Sequence, residues 1–439
     1  MIWEILILAL VFTLIGVLFG IITGLVPGIH VNTVAVILMV SAPLALGFAS
    51  HVSRYLWVPE EYAVMLISCL IVGNLITHTF LDFIPSALFG APDEDTSLSV
   101  LPAHRMVLEG RGKAAIRLSA GGSIRAILIS FILLVPAYVF FGPLGGYDKI
   151  VPYMAYVLIA IVSVLIIGEC RKGAKYPLYA LVIFVFSGIF GWIVLNGALF
   201  DTAPVLIEPM RESAPLFSGL TGLFGVAALI QSLGVAGLEP GDERKGDEKR
   251  GLLKSSFIGA AAGALVGWFP GVTSASATVL ASDISGNTDG EDFIVSMSAV
   301  NTSNAIFVIL ALFVIGKARS GALGVVKSLT GPSLWTDTNS PPSLLFLLLF
   351  SAVVAGAVAY PLTILLGSLF LSKMEKTDYS KASVIILLFV LCLIFVLAGP
   401  LGLFVASVAA MLGLIPPLTG ISRVHLMGFL ILPTIIYFL

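Results

Sequence analysis

Residues 259–271 read GAAAGALVGWFPG, and residues 16–28 read GVLFGIITGLVPG. Gly16, Gly20, Gly24, Pro27 and Gly28 match Gly259, Gly263, Gly267, Pro270 and Gly271 at one constant offset. Glycine at every fourth position leaves a stripe without side chains along one helix face, where a second backbone can approach closely in lipid. The Pro-Gly that closes each stretch removes an amide donor and frees the dihedrals, so each helix is expected to break there. Identical spacing in both stretches predicts an internal duplication.

The surroundings of both stretches belong to a membrane. The 439-residue chain is 58% apolar and only 11% charged, with mean hydropathy +1.08. A soluble domain carries about 25% charged residues, so this chain cannot coat a water-facing surface of its size. No Asp, Glu, Lys or Arg occurs in 5–53, 62–81, 126–147, 176–200, 255–282, 293–316, 338–372 or 382–422. At about 20 residues per spanning helix, these runs predict an all-α polytopic protein of about ten to twelve membrane segments, with 5–53 and 382–422 holding two each. The apolar N-terminus reads as a retained first helix. Net charge −2 gives no single-sign field for nucleic acid. Cys69, Cys170 and Cys392 are too dispersed for a disulfide framework or a metal cluster. No cofactor is expected beyond a coupling Na+ or H+.

Three polar segments punctuate the chain: 91–117, 169–175 and the charged run EPGDERKGDEKRGLLK at 239–254. The intervening 142–150 and 197–215 are poor in Lys and Arg, so the basic loops are expected on the cytoplasmic side. Counting crossings then places the N-terminus in the cytoplasm, 286–292 outside, and Lys317, Arg319, Lys373, Lys376 and Lys381 inside. The organisation expected is a first repeat over 1–170, connecting helices and a charged linker over 171–249, and a second repeat over 250–439.

Behind each Pro-Gly the residues are small and polar. His30, Asn32 and Thr33 come after Gly28; Thr273, Ser274, Ser276 and Thr278 come after Gly271. They open the second half-helix, where free amides and the positive dipole end favour an anion. The same hydroxyls also suit capping, and His30 suits a structural role equally well. Asn74 and Thr77, then Asn301, Ser303 and Asn304, sit inside apolar runs and form a second candidate pair of equivalent polar sites. Asp82, with His78 one turn earlier, and Asp283 are the candidate ion-coupling carboxylates. An ionisable group at membrane depth costs roughly 2.5–3.5 kcal/mol on insertion scales and marks function by default. Lys317 and Arg319 end an apolar run and read as an anchor or as an anion-attracting cytoplasmic mouth.

These residues carry a resemblance. The chain resembles the TctA-type large permease subunit of tripartite tricarboxylate transporters, in GVLFGIITGLVPG, in LPAHRMVLEGRGKAAIRLSAGGSI at 101–124, in GAAAGALVGWFPGVTSASATVLA and in SAVNTSNAIFVILALFVIG. It departs from the family's Asn-x-Pro-Gly turn, for which Phe83-Ile-Pro85-Ser86 or Gly90-Ala-Pro92-Asp93 stand, and carries Gly316-Lys317-Ala318-Arg319-Ser320-Gly321 where the family has Gly-x-Pro-Gly-Ser. The resemblance implies a secondary transporter of an organic anion driven by a proton or sodium gradient. It also implies a small membrane subunit and an extracytoplasmic binding protein as partners.

The residues themselves point to the same class. Repeats with broken helices place substrate at the repeat interface. The expected function is ion-gradient-driven transport of a small carboxylate-like anion between the two Pro-Gly breaks. A lipid-linked anion carrier is the alternative. An intramembrane enzyme using Asp93-Glu94-Asp95 is a weaker one, because neither an HExxH nor a grouped Ser/His/Asp set occurs. Parallel or inverted repeats, and a homo-oligomer, stay open.

Overall fold

The computed structural model describes residues 2–26, 47–52, 59, 62–89, 103, 105–107, 109–201, 203–205, 211, 214–233, 252–270, 272–285, 290–374 and 379–439. Among these the chain is helical and without strands. The helices are α1 (Ile2–Leu25), α2 (Tyr62–Leu81), α3 (Phe83–Phe89), α4 (Gly112–Phe141), α5 (Met154–Gly168), α6 (Tyr176–Asn196), α7 (Ala214–Leu220) and α8 (Ala227–Ser232). After the linker come α9 (Leu252–Val266), α10 (Ser274–Ser285), α11 (Gly290–Val314), α12 (Gly321–Thr330), α13 (Ser343–Met374), α14 (Tyr379–Thr419) and α15 (Gly428–Phe438). Among the described residues nine helical stretches are long and apolar enough to cross a bilayer. One of them, within α14, bends at Gly399, where φ is 70° and only glycine sits without strain. Because α14 starts shortly beyond the end of α13 and ends beside Lys172, it crosses twice.

The glycine ladders decide how the helices pair. A Cβ added to Gly16 would lie 2.1 Å from the Leu70 carbonyl oxygen, one on Gly20 2.5 Å from Thr77 Cβ, and one on Gly24 2.6 Å from Leu81 Cβ. In the second half Gly259, Gly263 and Gly267 meet Ser296 O, Ser303 Cβ and Phe307 Cβ in the same way. Contacts that advance together on both partners mean that α1 runs parallel to α2, and α9 parallel to α11. The spacing of the partner residues is the same in both pairs.

Long polar contacts fix the remaining directions. Ser298 bonds Ser119 at 2.8 Å and Ser130 bonds Ser303 at 2.9 Å, so α4 runs with α11. Cys69 reaches Leu347 O, and Gly356 faces Phe80, so α13 runs with α2. Gly356, Gly367 and Gly112 meet Ile127, Ile116 and Leu371, so α13 runs against α4. Hence α1, α2 and α13 point one way, and α4, α9 and α11 the other. Each pair receives its third helix from the opposite half of the chain.

This arrangement corrects the loop topology expected from the sequence. Since α9 and α11 are parallel, α10 returns between them, and the end of α10 and the start of α11 lie on the face that carries 169–175. The ends of α2 and α13 and the starts of α4, α9 and α11 share that basic face, with Arg111, Lys113, Arg171, Lys172, Lys254 and Lys373. Lys317 and Arg319 lie on the opposite face with Lys149, Arg211 and the start of α1. The N-terminus and the basic loops therefore cannot both be cytoplasmic. Counting hydrophobic runs failed because it took every run as a crossing.

The helices gather into two groups that do not follow the chain halves. One comprises α1–α4 and α9–α13; the other comprises α5–α8, α14 and α15. The first group packs on the second chiefly through α10, which meets α5 and the 3₁₀ turn Arg423–Met427.

Candidate functional site

The second break delivers a helix N-terminus into the first group. Gly263 and Gly267 seat α9 against α11, and Trp268, fully buried, stacks on Phe141 at 4.1 Å between ring centroids. Pro270 then ends the segment, and α10 restarts at Ser274. Thr273 caps it by accepting from Ser276 N at 3.4 Å, the service a helix start needs for its orphan amides. Ser274 Oγ accepts from Asn304 Nδ2 at 3.2 Å. Asn304 is well inside the 25-residue α11, so α10 begins at membrane depth. Ser274, Ser276 and Thr278 are fully buried.

One turn back along α11, Asn301 Nδ2 donates to Asp82 Oδ2 at 3.0 Å. Asp82 sits between α2 and α3 and is 3% exposed, so the carboxylate is interior and not a group at the membrane surface. Beside it Thr79 and Thr302 hydroxyls stand 3.4 Å apart. These two contacts join antiparallel helices from the two halves of the chain. Asp82 thus meets an amide across the interface, a partner the sequence did not suggest; His78, buried, lies on the same helix.

The other candidates divide. Asn74 is fully buried on the α1 side of α2, where its Oδ1 accepts from Thr23 at 2.9 Å; Thr77 is fully buried against Gly20. Among the described residues neither Asn74 Nδ2 nor Thr77 Oγ1 has a hydrogen-bond partner. When the two ladders are matched, Asn74 corresponds to Val300 and Thr77 to Ser303, so the expected pairing of Asn74 with Asn301 is off by one residue. One residue is about 100° of helix rotation, which is why Asn74 faces α1 and Asn301 faces Asp82. Asp283 lies in the last turn of α10, away from its N-terminus. Gly28, His30, Asn32, Thr33 and Gly271 lie outside the described residues.

Lys317 is exposed and Arg319 half-buried, on the face opposite the basic loops. The Arg319 guanidinium bonds Tyr147 Oη and lies 5.5 Å from that ring's centroid. Burial lowers its pKa from the ordinary arginine value, and Tyr147 opposes the shift. The sequence reading missed Thr23, Thr79, Thr302 and the serine seam of Ser119, Ser130 and Ser298. Each is a small hydroxyl, all but Ser119 inside an apolar run, and only the facing helix gives it meaning.

The family described as "Tripartite tricarboxylate transporter TctA family" matches residues 10–428. The chain is also 29% identical over 377 residues to the uncharacterized protein MJ1079 of Methanocaldococcus jannaschii, spanning 84% of this chain and 88% of that one. No solved structure matches the chain.

Proposed function

Since the chain belongs to the tripartite tricarboxylate transporter TctA family, we propose that it is a membrane permease that moves a small organic anion by ion-coupled alternating access. As a member of that family it is a component of a multi-subunit transporter, with other subunits and a binding protein. The start of α10 at membrane depth carries the reading. Its free amides and positive dipole end suit a carboxylate, with Ser274 and Asn304 as neutral donors and acceptors beside it. Asp82, held by Asn301, is the group that takes the coupling H+ or helps to ligate Na+.

The opposed directions of the α1–α2 and α9–α11 pairs, with the same ladder register in each, support inverted-topology repeats about an axis in the membrane plane. With the basic face in the cytoplasm, the N-terminus, Lys317 and Arg319 are extracytoplasmic. The mouth formed by the last two then opens outward. α10 packs on the second helix group, so movement between the groups carries the α10 end of the site with it.

The test is uptake of radiolabelled di- and tricarboxylates into proteoliposomes under an imposed pH or sodium gradient. Ser274→Ala and Asn304→Leu should each depress uptake while the melting temperature stays near that of the parent protein. Full uptake in both variants would remove α10 from the site.

A further inference from the structure

The basic face carries a half-buried cation that the transport site does not use. Arg423 opens the turn Arg423–Met427, which packs on α10. Its Nη2 donates to Gln231 Oε1 on α8, while its Nη1 is buried and, among the described residues, without a hydrogen-bond partner. No carboxylate pairs with it among the described residues. The nearby acid, Glu169, is already engaged. It accepts from Ser422 N at 2.9 Å, pairs with Lys172 at 2.8 Å and faces His425 Nε2 at 3.2 Å. Drawing a cation even partly out of water without a counter-charge is costly, and desolvation lowers the Arg423 pKa to about 10, which leaves it charged at neutral pH. Among the described residues the guanidinium is left with room for an anion.

The surroundings indicate which anion. Lys172 Nζ reaches Gly420 O at 3.2 Å, so the 169–175 hairpin and the Arg423 turn form one surface, with Arg171 and Lys175 on it. Apolar side chains border it: Leu178 is 60% exposed and Leu418 82%. A guanidinium is suited to phosphate oxygens, and basic pockets between helices at the positively charged face suit anionic lipid headgroups. We propose that Arg423, oriented by Gln231 and flanked by Lys172 and Lys175, binds the phosphate of an anionic phospholipid whose tails lie along α6 and α14. Occupancy steadies the turn on which α10 rests. A soluble phosphate offers the same headgroup chemistry without the tails.

The experiment is a thermal melt of the full chain in detergent, with phosphatidylglycerol, phosphatidylcholine or inorganic phosphate added at matched concentration. Phosphatidylglycerol should raise the melting temperature above phosphatidylcholine, and phosphate alone should not. Arg423→Gln should abolish the difference and Arg423→Lys should keep part of it. Gln231→Leu keeps the charge but loses its orientation, and should weaken the response; these two variants decide if Arg423→Gln does not fold. Equal responses in parent and variants overturn the proposal. A rise with phosphate alone that Arg423→Gln removes overturns the lipid as its source. The readout is binding, so it stands or falls independently of any transport measurement.

Discussion

Asp82 and Asn301 make a polar contact between the two halves of the chain, and the structure sets what breaking it should do. The amide donates to a carboxylate oxygen at 3.0 Å, with both side chains 3% exposed. A hydrogen bond to a charged group is worth about 1.5–3 kcal/mol, roughly a 10- to 150-fold change in an equilibrium. Asn301→Leu keeps the approximate volume and deletes the donor; Asp82→Asn keeps the shape and deletes the charge. If the pair works as one unit in the transport cycle, each substitution lowers the initial uptake rate by that factor, and the double variant is no worse than the poorer single. The exchanged pair, Asp82→Asn with Asn301→Asp, moves the carboxylate to α11 and should recover part of the rate. The assay is gradient-driven uptake in proteoliposomes, with melting temperature as the control for folding. If the two single effects multiply in the double variant, agreeing with additivity to within about 0.5 kcal/mol, the contact is incidental and the reasoning fails.

The same geometry sets other outcomes. Gly263→Ala places a Cβ 2.3 Å from Val300 O and should cost about 1–3 kcal/mol by overpacking. Gly324→Ala, with nothing within 4 Å of its Cβ, should melt no lower than the parent; thermal unfolding of the pair checks both. Ser320 Oγ accepts from Leu323 N at the start of α12, so Ser320→Ala should cost about 0.5–2 kcal/mol, read as a lowered melting temperature. Cys170 is exposed on the basic face. As the sole cysteine it should resist an impermeant maleimide in intact cells and react after permeabilisation; labelling in intact cells would reverse the proposed orientation.

The two Pro-Gly stretches disclosed the membrane class, the close helix pairs and the polar start of α10 from residue types alone. Those features are local: a glycine stripe, a missing amide, a run of hydroxyls. What the sequence hid was relational. Asn74 and Asn301 look equivalent in a string of letters, yet a single-residue slip turns one toward Thr23 and the other toward Asp82. Asp82 reads equally well as a helix-end group until α11 is seen to cross it. The sidedness of Lys317 and Arg319 hung on whether α10 crosses or returns, and a twelve-residue helix of small polar residues does not declare this by composition.

The notches that seat α1 on α2 and α9 on α11 also limit how the protein can move. Leu70 O lies where a Gly16 side chain would begin, and Val300 O does the same at Gly263. A helix lodged in this way has no small slide open to it. The next equivalent seat is four residues along, about 6 Å at 1.5 Å per residue, and every position between sets carbonyls against side chains. Each pair is therefore indexed like a toothed rack. Displacement during a cycle has to be taken up at contacts without such teeth, and the few that α10 makes with α5 and the Arg423 turn are of that kind.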